Sequence, residues 1–255
     1  MAGIVRNWTE PRVNFQLGWE ILRFGSGWYI GKAQYQLTED AGAGANEMKV
    51  FSTGMKQRIR KMLLLCVRKQ VILTFDDGPH LSYTPLILDV LRHHRINAIF
   101  FVLGERMQIR GARELIQRAS AEGHLIGNHG FSHVDMRKLS RDQIRSELLR
   151  TRELIAEFEP RRPLFRPPYG AYNSDVVEIA KELGYEMLLW NVDPQDWNPK
   201  RKPTGWIDAA IDQMRARRRS ICICHDSQGT TAEGLDQLVT RVRAASRFDF
   251  VRYAI

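Results

Sequence analysis

Cysteine is scarce in this 255-residue chain, and the three present, Cys66, Cys222 and Cys224, are an odd number with no framework spacing. A small secreted module stapled by disulfides is thereby excluded, and reduced thiols are expected. Long apolar runs are missing as well. A stretch such as Met62 to Val67 falls far short of the roughly 20 residues that a membrane-spanning helix needs. The opening residues, MAGIVRNWTEPRVNF, lack the continuous apolar region and small-residue cleavage site of a secretory signal, so the sequence reads as cytoplasmic. Internal repeats and long low-complexity tracts are likewise missing. Acidic residues are in deficit, 29 against 38 Lys and Arg, for a net charge of +9. The basic residues are spread over many expected helices and no nucleic-acid motif accompanies them, so solvated faces are expected rather than a nucleic-acid partner.

What is present is enough for a core. With 44% hydrophobic residues the chain suits one large domain with an appendage. The charge divides it: residues 1 to 70 hold eleven Lys and Arg against five Asp and Glu, a net +6. From residue 71 onward, short β-branched runs alternate with helical patterns, the signature of βαβ units around a parallel sheet. Strands are expected at Val71 to Phe75, Ala98 to Val102, His124 to Gly127, Leu164 to Arg166, Tyr185 to Trp190, Ser220 to His225 and Phe248 to Tyr253. Thr84 and Ser140 suit helix N-caps, Pro85 a first helical position and Gly184 a helix C-terminus. Roughly seven strands in about 185 residues predict a closed or nearly closed β/α barrel, slightly smaller than the eight-fold one.

Residues 1 to 70 follow another rhythm. Trp19 to Leu37 reads as a hairpin, and Ala41 to Ala45 as a flexible linker. Residues 53 to 69 predict an amphipathic helix with six basic residues and no acid. It could cap the barrel, or rest on an anionic membrane surface.

Five constellations carry chemistry, most of them at expected strand ends, where barrel active sites lie. Thr74-Phe75-Asp76-Asp77-Gly78-Pro79 sets two carboxylates side by side before a turn; adjacent acids in a cleft call for a cation or partner, although an ordinary Asp-rich turn has the same letters. His129-Gly130-Phe131-Ser132-His133 spaces two imidazoles four residues apart, which on a helical turn puts both on one face. Two imidazoles and a carboxylate leave coordination positions open for water and substrate. Arg166-Pro167-Pro168-Tyr169-Gly170 offers a cation able to orient a carboxylate, with prolines that fix the backbone, though a Pro-rich loop has the same appearance. The remaining two are Trp190-Asn191-Val192-Asp193-Pro194-Gln195-Asp196-Trp197 and Ile223-Cys224-His225-Asp226. If His225 points into the barrel so does Ile223, and Cys222 and Cys224 face the helices as core packing.

In this order the five motifs resemble the NodB-type polysaccharide deacetylases, carbohydrate esterase family four, over residues 71 to about 253. The resemblance implies a distorted (β/α)7 barrel at residues 71 to 255, with residues 1 to 70 as an unrelated extension. It implies that Asp77, His129 and His133 hold a divalent metal, usually zinc. Asp76 would be the general base, braced by Arg166, and His225 the general acid, tuned by Asp193. Pro168, Tyr169 and Trp197 would line the sugar groove, and Ile223 the pocket for the acyl methyl. Water deprotonated by Asp76 would attack the acyl carbonyl, with the Tyr169 backbone N–H facing the oxyanion and His225 protonating the departing amine. The implied substrate is an N-acetylglucosamine-containing oligo- or polysaccharide, chitin-like or peptidoglycan-like. An O-acetylated xylan, a small amide, or a non-catalytic carbohydrate-binding role are the alternatives. Two places depart from the family: the last motif reads Ile223-Cys224-His225 rather than Leu-x-His, a mild change to the acyl-methyl pocket, and Gly130 stands where Ser or Thr is usual, whose hydroxyl helps hold the histidine loop. Restoring it, Gly130→Ser, is expected to tighten the loop.

Overall fold

The computed structural model describes residues 19–24, 27–32, 68–245 and 247–254. The chain divides into two compact units, residues 8–64 and a larger one made mainly of residues 65–255. In the smaller unit, β1 (Trp19–Phe24) and β2 (Gly27–Lys32) pair antiparallel, with Phe24 opposite Gly27, so the expected hairpin is present. The expected linker at 41–45 and residues 53–67 of the expected basic amphipathic helix lie outside the described residues; its last residue, Lys69, begins a strand instead. Among the described residues no helix is long and apolar enough to cross a membrane.

The larger unit alternates strand and helix. Its strands are β3 (Lys69–Gly78), β4 (Ile99–Val102), β5 (Leu125–Asn128), β6 (Leu164–Phe165), β7 (Glu186–Met187), β8 (Arg219–His225) and β9 (Phe248–Phe250). Between them run the helices α1 (Tyr83–His94), α2 (Gly104–Met107), α3 (Ala112–Ala121), α4 (Arg141–Ile155), α5 (Ser174–Glu182), α6 (Gly205–Arg215) and α7 (Gly229–Ala244). The strands pair in parallel in the order β7-β6-β5-β4-β3-β8, with β9 beside the start of β3. This is a distorted (β/α)7 barrel. The ring closes irregularly: after β7 the Leu188 N–H still reaches Phe165 on β6, but Val192 bridges to Cys222 on β8. The strand expected over Tyr185 to Trp190 is therefore short, because this segment changes partners from one side of the ring to the other.

Period-two alternation sorts β3 into a helix-facing and a barrel-facing row. Val71, Leu73 and Phe75 join Leu88, Leu91, Leu235 and Leu238 of the helices in one core, together with Cys222 and Cys224. Burial of each such side chain contributes about 1.5–3 kcal/mol. Both cysteines are free thiols in that core, as their alternation with Ile223 and His225 predicts. Thr74 and Asp76 point the other way. Helix α4 begins at Ser140 with a complete capping box to Gln143. Thr84 is not an N-cap: α1 starts one residue before it, with Ser82 at the cap, and the Thr84 hydroxyl is engaged elsewhere.

Candidate active site

Alternation alone would send Asp76 and Asp77 to opposite faces of β3. A register shift between Asp76 and Gly78 against β4, with Asp77 at φ 73°, breaks the alternation and turns both carboxylates toward the same end of the barrel. Such a bulge re-aims a side chain at the price of a left-handed backbone. Next in the chain, Gly78 is required by space: a Cβ there would stand 2.0 Å from the Asp226 carboxylate.

Asp77 is the meeting point of two imidazoles. Its Oδ1 lies 3.3 Å from His129 Nε2 and 3.2 Å from His133 Nε2, yet this buried oxygen takes no hydrogen bond. One donor atom from each residue falls within 4.8 Å of the others. Burial pushes the Asp77 carboxyl up, but the two facing histidines outweigh it and hold it well below the usual carboxylate range. A buried carboxylate oxygen facing two imidazole nitrogens without a hydrogen bond fits a divalent cation, which would take one lone pair from each. His129 is already oriented for this, since its Nδ1 lies 2.7 Å from the Arg166 carbonyl and leaves Nε2 to face Asp77. His133 packs against Tyr169 at 4.5 Å between ring centroids, the rings tilted by 60°.

Asp76 sits at the buried side of this group. Arg166, fully buried, donates to Asp76 Oδ1 at 2.7 Å, to Thr74 Oγ1 at 2.8 Å and to the Leu188 carbonyl at 2.9 Å. Asp76 Oδ2 is left free of Arg166 and faces His129 Nε2 at 3.7 Å. Across the opening, the Tyr169 backbone is left-handed at φ 60°, and its N–H has no partner among the described residues. Pro168 is buried beside it, Tyr169 and Trp197 are exposed, and Ile223 is buried on β8.

His225 ends β8 opposite Asp76. Its expected partner, Asp193, does not reach it. The contact belongs to Asp196, whose Oδ1 is 2.7 Å from His225 Nδ1 and whose Oδ2 accepts the His225 backbone N–H at 2.7 Å and the Thr231 hydroxyl. The reason is local: Gln195 takes φ 57° and donates its N–H to Asp193 Oδ1, so Asp193 closes its own loop while the reversed chain delivers Asp196 inward. Burial pulls the imidazole down, but Asp196, then Asp76 and Asp77, outweigh it and push His225 up to about 9. It carries a proton at neutral pH.

Two acids to which the motifs gave no role belong to the setting. Asp226 is buried against Gly78 and accepts the Thr84 hydroxyl at 2.6 Å; burial and the nearby Asp77 and Asp76 push it up to about 7. Glu147, on α4, binds the loop between the two histidines. Its signal was in the sequence: it falls on the face shared by Ile144, Leu148 and Thr151, where an acid has no place unless something polar meets it.

Comparison with known proteins now adds a lineage. Residues 67–188 match the family described as polysaccharide deacetylase. The peptidoglycan-N-acetylglucosamine deacetylase PgdA of Listeria monocytogenes is 35% identical over 185 residues, covering 72% of this chain and 38% of the relative. The chain thus spans well under half the length of that relative. The chitooligosaccharide deacetylase of Rhizobium leguminosarum bv. trifolii is 36% identical over 161 residues, 62% of this chain and 72% of the relative. Among solved structures, a CE4 family pseudoenzyme from Bacillus anthracis superposes with a TM-score of 0.63 at 26% identity, covering 71% of this chain and 63% of that one.

Proposed function

Since the chain belongs to the polysaccharide deacetylase family, we propose that it is a metal-dependent hydrolase removing N-acetyl groups from an N-acetylglucosamine-containing oligo- or polysaccharide. A pseudoenzyme shares the fold, so the fold by itself does not argue for turnover. The observation that carries the reading is the convergence of His129 and His133 on the orphaned Oδ1 of Asp77, with Asp76 alongside.

Asp77, His129 and His133 are the proposed metal ligands, and zinc the proposed cation, because two imidazoles and one carboxylate suit it. When bound, the cation polarises the acyl carbonyl and acidifies water. Asp76 is the general base: Arg166 donates to Oδ1 and orients the carboxylate, leaving Oδ2 to take a proton from the attacking water. The Tyr169 N–H faces the oxyanion. His225, kept protonated by Asp196, gives its proton to the departing amine. These roles together support direct hydrolysis, with no covalent intermediate. Tyr169 and Trp197 supply exposed aromatic faces for sugar rings, with Pro168 beneath, and Ile223 an apolar wall for the methyl group. In domain terms, residues 71–255 are the proposed catalytic domain and residues 1–70 its extension.

The test is a panel of defined substrates, N-acetylated chito-oligosaccharides, peptidoglycan fragments and acetylated xylan, read by acetate release and mass loss per sugar. Release from the amides supports the reading. Release confined to the xylan ester replaces the substrate, and release from none removes the activity.

A further inference from the structure

We infer that Glu147 is the positioning residue of the metal centre: its buried carboxylate holds the backbone between His129 and His133 in the shape that aims both imidazoles at Asp77. The inference rests on the reading of Asp77, His129 and His133 as metal ligands.

That backbone is not at ease on its own. Gly130 has φ 81° and His133 φ 53°, and a histidine enters the left-handed region only when its surroundings impose it. The Nδ1 of His133 takes no hydrogen bond from the described residues, unlike that of His129, so the direction of the His133 ring is set chiefly by its backbone and by the Tyr169 ring. Glu147 supplies the constraint. Its Oε2 accepts the N–H groups of Phe131 at 2.8 Å and Ser132 at 2.9 Å, and its Oε1 accepts the Ser132 hydroxyl at 2.8 Å. These are the residues immediately preceding His133.

The carboxylate can act as an anchor because it is itself fixed. It is 8% exposed, has no ion pair among the described residues, and projects from the buried face of α4. A buried carboxyl group is tolerable only while it is hydrogen-bonded, and three loop donors meet it, at least one on each oxygen. Position 130 cannot share the task, having no side chain. A Cβ there would point between Met136 Cε at 2.7 Å and Glu147 Oε2 at 3.5 Å, so the glutamate lies where a side chain at 130 would have worked. Asn128 holds only the Gly130 N–H. Preorganisation by an outer residue of this kind is typically worth ten- to a hundred-fold in metal affinity.

The test uses the full chain, stripped of metal and titrated with zinc against a chromophoric chelator. Glu147→Ala is expected to lose about ten- to a hundred-fold in zinc affinity, with faster hydrogen exchange at Phe131 and Ser132 in the metal-free protein and recovery of kcat at saturating zinc. Glu147→Gln, which keeps two acceptor lone pairs in place, is expected to stay within several-fold of the parent. Ser132→Ala should fall between. If Glu147→Ala fails to fold, the Glu147→Gln, Ser132→Ala double variant carries the test, with a weakened zinc affinity expected. Unchanged affinity in the variant that folds, within about twofold, overturns the inference while leaving the ligands intact. A parent chain that binds no zinc, or a His133→Ala variant that binds as well as the parent, overturns the ligand reading and this inference with it.

Discussion

Asp196 grips His225 at two points, through Oδ1 on the ring at 2.7 Å and through Oδ2 on the backbone N–H at 2.7 Å. The second contact fixes where the imidazole starts, and the first fixes where it points and stabilises its charged form. His225 therefore titrates near 9 rather than at its ordinary 6.5. Its acid form is held through neutral pH and is lost as pH rises through the upper value. Removing the charge by Asp196→Asn should bring the alkaline fall of kcat/KM to lower pH, toward 6.5, at little change in metal content. Asp193→Asn should leave that limb where it is, because Asp193 only closes its own loop. Equal pH profiles for Asp196→Asn and the parent protein would refute the acid assignment.

Asp76→Asn keeps the hydrogen-bonding shape but removes the base. Turnover should drop by about a hundred- to ten-thousand-fold while the protein still binds its full metal equivalent. Near-normal activity at full metal loading rules Asp76 out as the base.

Arg166 has no aqueous alternative, being fully buried between Asp76, Thr74 and the Leu188 carbonyl, with its guanidinium 4.2 Å from the Phe101 ring centroid. Arg166→Met leaves the Asp76 charge buried without its partner, so a loss of about 3–5 kcal/mol in urea unfolding is expected. A loss under 1 kcal/mol would mean that solvent reaches Asp76 when the guanidinium is gone.

Gly130→Ser, which the family pattern presents as a repair, should be harmful here. The backbone at φ 81° opposes any Cβ, and the new atom would press on the Met136 methyl at 2.7 Å. A destabilisation of about 1 kcal/mol or more in thermal or urea unfolding is expected, with weaker zinc binding. A stabilised variant would show that the loop relaxes to accept the hydroxyl.

Much of this arrangement was legible in the letters. Strand-end acids, the paired histidines and His225 sit where the alternation of short apolar runs and helical patterns puts them, because βαβ periodicity fixes which residues reach the barrel rim. What periodicity cannot give is the course of an irregular loop. Asp193 and Asp196 are equivalent choices until Gln195 is known to be left-handed, and that one dihedral decides between them. The bulge at Asp77 is hidden for the same reason. Glu147 is a different case: an acid on the apolar face of an amphipathic helix signals that something polar meets it, but two of its partners are backbone N–H groups, which leave no mark in a sequence to say what that is.

The most direct measurement is acetate release from an N-acetylated chito-oligosaccharide by protein stripped of metal, then reloaded with zinc, alongside Asp77→Ala, His129→Ala and His133→Ala. Release should vanish on stripping, return on reloading and stay lost in all three variants, whose zinc content should fall with it. Undiminished release by the metal-free protein, or stoichiometric zinc retained by the two histidine variants, would contradict a metal-dependent deacetylase built on these residues.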